Sequence, residues 1–133
     1  MKQLLTLGVI GKSLKENEMR VPIHPEHFKG IPEKLRKIIT FEEGYGMRFG
    51  IDDNTLAKLS SGRVAFRDEI LNGFDCVLIP KPLATDLSEI REGAVVWGWP
   101  HCVQQKEITQ ISIDRKLTLI AWEEMFTWSR TGD

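Results

Sequence analysis

Short apolar runs recur along the chain between polar stretches, and most of them are too short for amphipathic helices. The run from Ala94 to Trp99 is rich in Val and Trp and lies between Gly93 and Pro100. Such a run predicts a strand that is buried on both faces, as in the centre of a parallel sheet. By the same pattern, further strands are predicted at Leu4–Ile10, Ile38–Glu42, Arg63–Ala65, Phe74–Ile79 and Leu117–Ala121.

Stretches with helical features alternate with these strands. Pro25 stands at a first helical position and opens a predicted helix over Glu26–Lys37, which Gly30 and Pro32 interrupt. Further helices are predicted over Asn54–Leu59, Arg67–Asn72, Leu87–Arg91 and Val103–Asp114, and from Trp122 to Trp128. The alternation predicts an α/β domain, Rossmann-like (flavodoxin-like), with three layers and a mostly parallel sheet.

Composition narrows the range of functions. The 133 residues suffice for one domain with a buried core, and 18 Lys and Arg against 19 Asp and Glu give a net charge of −1. No basic face is implied, so nucleic acid is not an expected partner. The apolar runs are far shorter than a membrane span, and the start of the chain has no signal-peptide pattern. Because the 2 cysteines form no disulfide framework, a reducing, cytoplasmic location is expected.

Three polar side chains follow predicted strands that we expect to be neighbours. Arg20 lies in the long polar loop after the first strand, Lys81 follows the strand ending at Ile79, and His101 follows Pro100. In a parallel sheet all three project from the carboxyl edge, where open α/β folds bind ligands. Arg can hold a carboxylate through two hydrogen bonds, Lys can polarise a carbonyl, and His can transfer a proton near neutral pH. The trio suits a small 2-oxo acid that undergoes addition or reduction at its carbonyl carbon.

Each of these residues also has a purely structural interpretation. Lys81 lies between two prolines, as in many solvated turns. Arg20 is near enough in sequence to Glu16 and Glu18 for surface ion pairs, which contribute little to stability. His101 can cap the helix that follows. Under this interpretation the three side chains are scattered over the surface and form no site.

Two other patterns are weaker. Gly44, Gly46 and Gly50 follow a strand, but the third glycine is one position late for a dinucleotide fingerprint, so we interpret them as a glycine turn. His24 and His27 have helical spacing, but no third ligand is nearby in the sequence. Metal binding is therefore not expected there.

Several motifs occur in the order in which one enzyme family has them. They are Gly8-Val9-Ile10, Asn17-Glu18-Met19-Arg20-Val21, Pro25-Glu26, Phe41-Glu42-Glu43-Gly44-Tyr45-Gly46, Ile79-Pro80-Lys81-Pro82 and Trp97-Gly98-Trp99-Pro100-His101. On these motifs, nearly the whole chain resembles the N-terminal domain shared by alanine dehydrogenase, the pyridine nucleotide transhydrogenase α subunit and saccharopine-type dehydrogenases. Within this family it most resembles the N5-(carboxyethyl)ornithine synthases, through the EEGYG segment, Gly98–Gln104 and Lys116–Phe126.

The resemblance implies roles for the three candidate residues. Arg20, Lys81 and His101 would bind the substrate, with Arg20 and Lys81 at the carboxylate and carbonyl of pyruvate. His101 and Lys81 would be the catalytic residues, and His101 would be the acid/base. The implied reaction is an NAD(P)H-dependent reductive condensation of a 2-oxo acid with the amine of an amino acid such as ornithine. This sequence departs from the alanine dehydrogenase motifs at two positions, which argues against reductive amination of the alanine dehydrogenase type. That reaction remains the alternative. The departures are Ile10 in place of the usual proline, and Lys81 without the usual acidic residue after it.

The family also has a separate NAD(P)-binding domain with a glycine fingerprint, and residues 1–133 contain none. The chain is therefore expected to be the N-terminal substrate-binding (catalytic) domain, with no cofactor of its own. It is expected to show no turnover alone, because hydride transfer requires a positioned cofactor. The other interpretation is a standalone module that binds a small carboxylate or pairs with a separate nucleotide-binding subunit.

The predicted last helix carries large apolar side chains, Trp122, Met125, Phe126 and Trp128, and lacks a full packing partner within this chain. An apolar patch of this kind favours burial against a second copy, so we expect a homo-oligomer. Sedimentation of the purified chain should show self-association. A clean monomer with no solvent-exposed tryptophan would contradict this prediction.

Overall fold

Six parallel strands form one sheet in the part of the chain that the computed structural model describes, which is residues 5–17, 20–60, 62–102 and 104–122. The strands are β1 Leu7–Val9, β2 Ile39–Glu42, β3 Val64–Ala65, β4 Cys76–Leu78, β5 Val95–Gly98 and β6 Thr118–Ala121. Their spatial order is β3-β2-β1-β4-β5-β6, and every neighbouring pair is parallel. Each strand lies inside one of the predicted strands, so those predictions are confirmed.

This strand order is that of the Rossmann fold. The predicted Rossmann-like α/β class is confirmed, whereas the 2-1-3-4-5 order of flavodoxin is not observed. The order of the strands reverses at β1. Strand β2 pairs with one side of β1 and β3 pairs with β2, whereas β4 pairs with the other side of β1. In open parallel sheets, ligands bind in the crevice outside the carboxyl ends of the strands at such a reversal.

Five α-helices occur in the described residues: α1 Glu33–Arg36, α2 Asp53–Leu59, α3 Arg67–Gly73, α4 Ala84–Ser88 and α5 Lys106–Asp114. A 3-10 helix at Pro25–Gly30 precedes α1, so Gly30 and Pro32 divide the predicted helix in two. A second 3-10 turn, Met47–Phe49, was not predicted. Among these described helices, none is both long enough and apolar enough to cross a membrane.

The predicted bounds of α4 are wrong. The helix runs from Ala84 to Ser88, whereas the apolar pattern predicted Leu87–Arg91. The carboxylate of Asp86 accepts the N–H of Leu83 at 2.7 Å, which satisfies a helix-start amide that has no partner inside the helix. Helix α5 begins at Lys106, whereas the prediction began at Val103. The predicted last helix, from Trp122 to Trp128, lies outside the described residues except for Trp122.

Both faces of the sheet are covered, which gives the predicted three layers. Along β4, Val77 packs into a core shared with α3, α4 and α5, and the next residue, Leu78, packs into a second core. Successive side chains of a strand point to opposite faces, so this alternation marks a strand that is buried on both sides. The second core contains Phe28 from the first 3-10 helix and Leu56 from α2, and both are buried.

Gly98, the last residue of β5, allows this strand to approach the segment after β4. A Cβ atom here would lie 1.9 Å from the carbonyl oxygen of Ile79 and 2.6 Å from that of Pro80. The two segments are bonded on both sides of Gly98, since the Ile79 N–H donates to Trp97 at 2.9 Å and the Trp99 N–H donates to Pro80 at 3.1 Å. The pairing of β4 with β5 therefore continues beyond both strands to the carboxyl edge.

Replacing Gly98 by Ala should destabilise the domain by about 1–3 kcal/mol, because the added methyl group has no room beside the Ile79 carbonyl. Gly73→Ala is the matched control: nothing lies within 4 Å of its Cβ position, so the free energy of unfolding should change by less than about 1 kcal/mol. Urea unfolding followed by tryptophan fluorescence measures both. Equal effects of the two substitutions would contradict the close approach at Gly98.

Candidate functional site

The structure places the three predicted site residues in one region of the carboxyl edge. Strands β1, β4 and β5 are neighbours, as we expected. Lys81 directly follows Pro80, whose carbonyl accepts the N–H of Trp99, and His101 comes shortly after Trp99. The guanidinium carbon of Arg20 lies 4.3 Å from the centre of the Trp99 ring. Arg20 is exposed, whereas Lys81 and His101 are half-buried.

His101 has a backbone conformation that is uncommon for residues other than glycine. Its φ angle is +50°, in the left-handed region. For an L-residue this conformation costs roughly 1–2 kcal/mol. The Gln104 N–H donates to the His101 carbonyl at 3.0 Å, which closes a turn directly after Pro100. Such strained residues persist where their surroundings enforce them, and they cluster at functional sites.

Three tryptophans form the aromatic side of this region. Trp122 contacts both Trp97 and Trp99, with ring centres 5.9 Å and 4.1 Å apart. Arg20 covers Trp99. A cation over an indole face is attracted by the electrons of the ring, so Trp99 favours one position of the Arg20 guanidinium.

The loop after β1 is held by one buried carboxylate. Asp86 in α4 is 0% exposed and accepts the N–H of Leu14 at 3.1 Å and that of Leu83 at 2.7 Å. The guanidinium of Arg67, in the first turn of α3, forms an ion pair with Asp86 and donates to the Lys12 carbonyl at 3.1 Å. A buried charge is costly unless it is paired and hydrogen-bonded, so these contacts determine where the loop lies.

Gly11, the first residue of that loop, is hydrogen-bonded through both its N–H and its carbonyl. The Gly11 N–H donates to the carboxylate of Glu42, the last residue of β2, at 3.1 Å, and the Gly11 carbonyl accepts from the Arg48 guanidinium at 3.1 Å. Burial raises the pKa of Glu42, and the Gly11 N–H and the charge of Arg67 act in the opposite direction. A carboxylate and a guanidinium are therefore both hydrogen-bonded to the backbone of one residue.

Tyr45 connects the turn after β2 with the segment that follows Arg20. Its hydroxyl accepts the N–H of Ile23 at 2.9 Å and donates to the carbonyl of the same residue at 2.6 Å. The side chain is buried, and burial raises the pKa of the hydroxyl, which keeps it a donor. Since Ile23 is close to Arg20 in the chain, Tyr45 restricts the end of the loop that brings Arg20 to Trp99.

A cavity lies over the carboxyl ends of β1 and β2, and its volume is about 940 Å³. The loop after β1, the turn after β2 and the start of α3 supply its walls, including Gly11, Glu42, Tyr45, Arg48 and Arg67. Of the described residues that line it, none is Arg20, Lys81 or His101, so the cavity lies beside the predicted site. It was not predicted, although its walls include two features of the sequence, the long polar loop after β1 and the glycine-rich motif after β2.

The weaker histidine and glycine patterns have local structural roles. The Nδ1 atom of His24 accepts the Glu26 N–H at 3.2 Å at the start of the first 3-10 helix, and the ring of His27 lies 5.7 Å away. The described residues contain no group of three or more His, Cys, Asp or Glu side chains that could hold a metal ion. Gly44 and Gly50 have positive φ angles, 78° and 72°, which agrees with the predicted glycine turn.

The parallel sheet and its strand order define a Rossmann-like α/β domain, and polar residues lie at the carboxyl edge of the sheet beside its reversal. Residues 9–132 match the family described as "Alanine dehydrogenase/PNT, N-terminal domain". The chain belongs to this family, and the resemblance seen in the motifs is confirmed.

Individual relatives agree with this family. The chain is 36% identical over 86 residues to the N(5)-(carboxyethyl)ornithine synthase of Clostridium botulinum, a match that covers 64% of the chain and 26% of that enzyme. It is 24% identical to the alanine dehydrogenase of Methanococcus maripaludis, over 86% of the chain and 31% of that enzyme. The structure of the transhydrogenase from Sinorhizobium meliloti superposes with a TM-score of 0.73 and 26% identity, over 94% of the chain and 37% of that protein. The chain thus spans about a quarter to a third of the length of these curated relatives.

Asp86→Asn should lower the free energy of unfolding by about 3 kcal/mol, because it leaves the Arg67 charge without its buried partner. The control is Glu33→Gln, which breaks the exposed pair between Glu33 and Lys37 (3.3 Å) and should cost less than about 0.5 kcal/mol. Chemical denaturation of both variants gives the comparison. A small effect at Asp86 would show that the loop after β1 does not depend on this pair.

Proposed function

We propose that the chain is the substrate-binding domain of an NAD(P)H-dependent oxidoreductase that reductively condenses a 2-oxo acid, such as pyruvate, with the amine of an amino acid such as ornithine. Membership of the family and the 36% identity to an N(5)-(carboxyethyl)ornithine synthase support this class of reaction. The observation that carries the proposal is that Arg20 lies over Trp99, whose backbone N–H donates to Pro80 next to Lys81 and which precedes His101 by two residues. This is the edge where this fold binds ligands.

Each of the three residues has a separate role in this proposal. Arg20 binds the carboxylate of the 2-oxo acid through charge-assisted hydrogen bonds. Lys81 binds the carbonyl oxygen and stabilises the negative charge that develops there when the amine nitrogen adds to the carbonyl carbon. His101 is the proton carrier: the nitrogen loses its protons, and the carbonyl oxygen gains two and leaves as water, which gives the imine.

The residues of this domain do not fit a dinucleotide. In a Rossmann dinucleotide site, a glycine-rich turn leads from β1 directly into a helix whose N-terminus binds the pyrophosphate. Here β1 is followed by a loop that Glu42 and Asp86 hold, and among the described residues, which omit 18 and 19, the next helical residue is Pro25. We therefore assign the NAD(P)-binding domain to a part of the protein outside residues 1–133, and we expect no turnover from this domain alone.

Reductive amination of the alanine dehydrogenase type is the second candidate. The match to the Methanococcus maripaludis alanine dehydrogenase covers 86% of the chain, against 64% for the synthase. Both reactions use the same 2-oxo acid site and differ in the amine, so binding of an amino acid with a side-chain amine distinguishes them. A standalone carboxylate-binding module would bind the 2-oxo acid but no amine.

Pyruvate should bind the wild-type chain saturably. The substitution Arg20→Ala or Lys81→Ala should lower the affinity for pyruvate at least about tenfold, because one charge-assisted hydrogen bond is lost. Lys58→Ala, on the exposed side of α2, is the matched control and should leave the affinity unchanged. Calorimetry is the suitable measurement, because Arg20 lies over Trp99 and its removal alters the fluorescence baseline. His101→Ala should retain binding within a few-fold, since its proposed role is proton transfer. Failure of pyruvate to bind, or equal weakening by Lys58→Ala, would refute the site.

A further inference from the structure

The cavity over β1 and β2 lies next to the proposed 2-oxo acid site and shares the loop after β1 with it. One end of this loop, at Gly11, forms part of the cavity wall, and Arg20 at the other end reaches Trp99 beyond β5. Neighbouring strands are about 4.8 Å apart, so the middle of the cavity and the region between β4 and β5 are separated by two strand spacings, about 10 Å. This distance is comparable to the length of an extended amino acid with a long side chain.

The lining of the cavity carries both signs of charge in a fixed arrangement. Glu42 accepts from the N–H of Gly11, and Arg48 donates to the carbonyl of the same residue, so one carboxylate and one guanidinium flank a single backbone unit. A zwitterion carries both an ammonium and a carboxylate group, so each of the two charged side chains in the lining has a counterpart on such a ligand.

The burial of Glu42 also fits a cationic ligand. Desolvation raises the pKa of this carboxyl, because burial disfavours its ionised form. An ammonium group beside it would stabilise that form. Leu14 and Met47, which are 54% and 66% exposed, are apolar residues of the same lining and can contact an aliphatic side chain.

We propose that this cavity binds the amino acid co-substrate, with its α-ammonium group at Glu42, its α-carboxylate at Arg48 and its side chain directed along the sheet edge toward Lys81 and His101. The inference rests on the proposed function, because it assigns the second reactant of that reaction to a site. It also specifies the class of amine: an amino acid whose side chain ends in an amine, long enough to cover about two strand spacings.

Calorimetric titration with L-ornithine tests the cavity, with two partial ligands for comparison. L-Norvaline keeps the α-ammonium and α-carboxylate groups but has no side-chain amine, and it should bind within a few-fold of ornithine. 1,4-Diaminobutane has no carboxylate and should bind at least about tenfold more weakly, because the contact with Arg48 is lost. Equal binding of the diamine would overturn the zwitterion assignment.

Glu42→Gln is the decisive variant, because glutamine keeps an acceptor for the Gly11 N–H while removing the charge. This substitution should lower the affinity for ornithine at least about tenfold. Arg48→Gln should act similarly and serves if Glu42→Gln does not fold. Glu33→Gln, in the exposed pair on α1, is the control and should have no effect. Unchanged ornithine affinity in a folded Glu42→Gln or Arg48→Gln variant would overturn the inference.

Pyruvate titrations of the same proteins separate the two proposals. Glu42→Gln should keep the wild-type affinity for pyruvate, since Glu42 is not part of the 2-oxo acid site. If wild-type chain binds pyruvate but not ornithine, the cavity inference fails and the proposed 2-oxo acid site stands. If it binds ornithine but not pyruvate, the proposed function fails, and the assignment of the cavity to a co-substrate fails with it. If it binds neither ligand, both are refuted.

Discussion

The ion pair between Asp86 and Arg67 determines the shape of the carboxyl edge of this domain. Asp86 is fully buried, and its carboxylate is compensated by one guanidinium and by the N–H groups of Leu14 and Leu83. Replacing a buried pair by apolar residues is often neutral or stabilising, so the pair is poor support for stability alone. Its consequence is conformational, because it joins α3 and α4 to the backbone of the loop after β1.

The two halves of the edge are therefore built by different means. On the side of β1 and β2, side chains of Glu42, Arg48 and Asp86 hold the backbone of the loop. On the side of β4 and β5, backbone geometry dominates: Gly98 permits the close approach, and His101 turns the chain with a positive φ angle. Under the proposed function, this arrangement suits a site where the proton carrier His101 must be placed accurately.

The strands could be predicted because their signal is local. Each is a short apolar run bounded by turn residues, and the parallel arrangement follows from the alternation with helices. The same rule placed Arg20, Lys81 and His101 at one edge. The cavity and the contacts of Asp86 could not be predicted, since the bond from Leu14 to Asp86 joins residues 72 positions apart and the bond from Gly11 to Glu42 joins residues 31 apart. The error at α4 has the same origin, because its start depends on the Asp86 carboxylate rather than on apolar spacing.

Under the proposed function, a domain with a net charge of −1 recognises a carboxylate through the local placement of charge. A protein of this composition has no overall positive field to attract anions, so it cannot rely on long-range steering. Recognition has to come from cations held at defined positions at the edge of the sheet. Arg20 is held there by the face of Trp99 and Arg48 by the Gly11 carbonyl. The contacts that hold these side chains matter as much as their charges, because a freely moving guanidinium would lose conformational entropy with each ligand it binds.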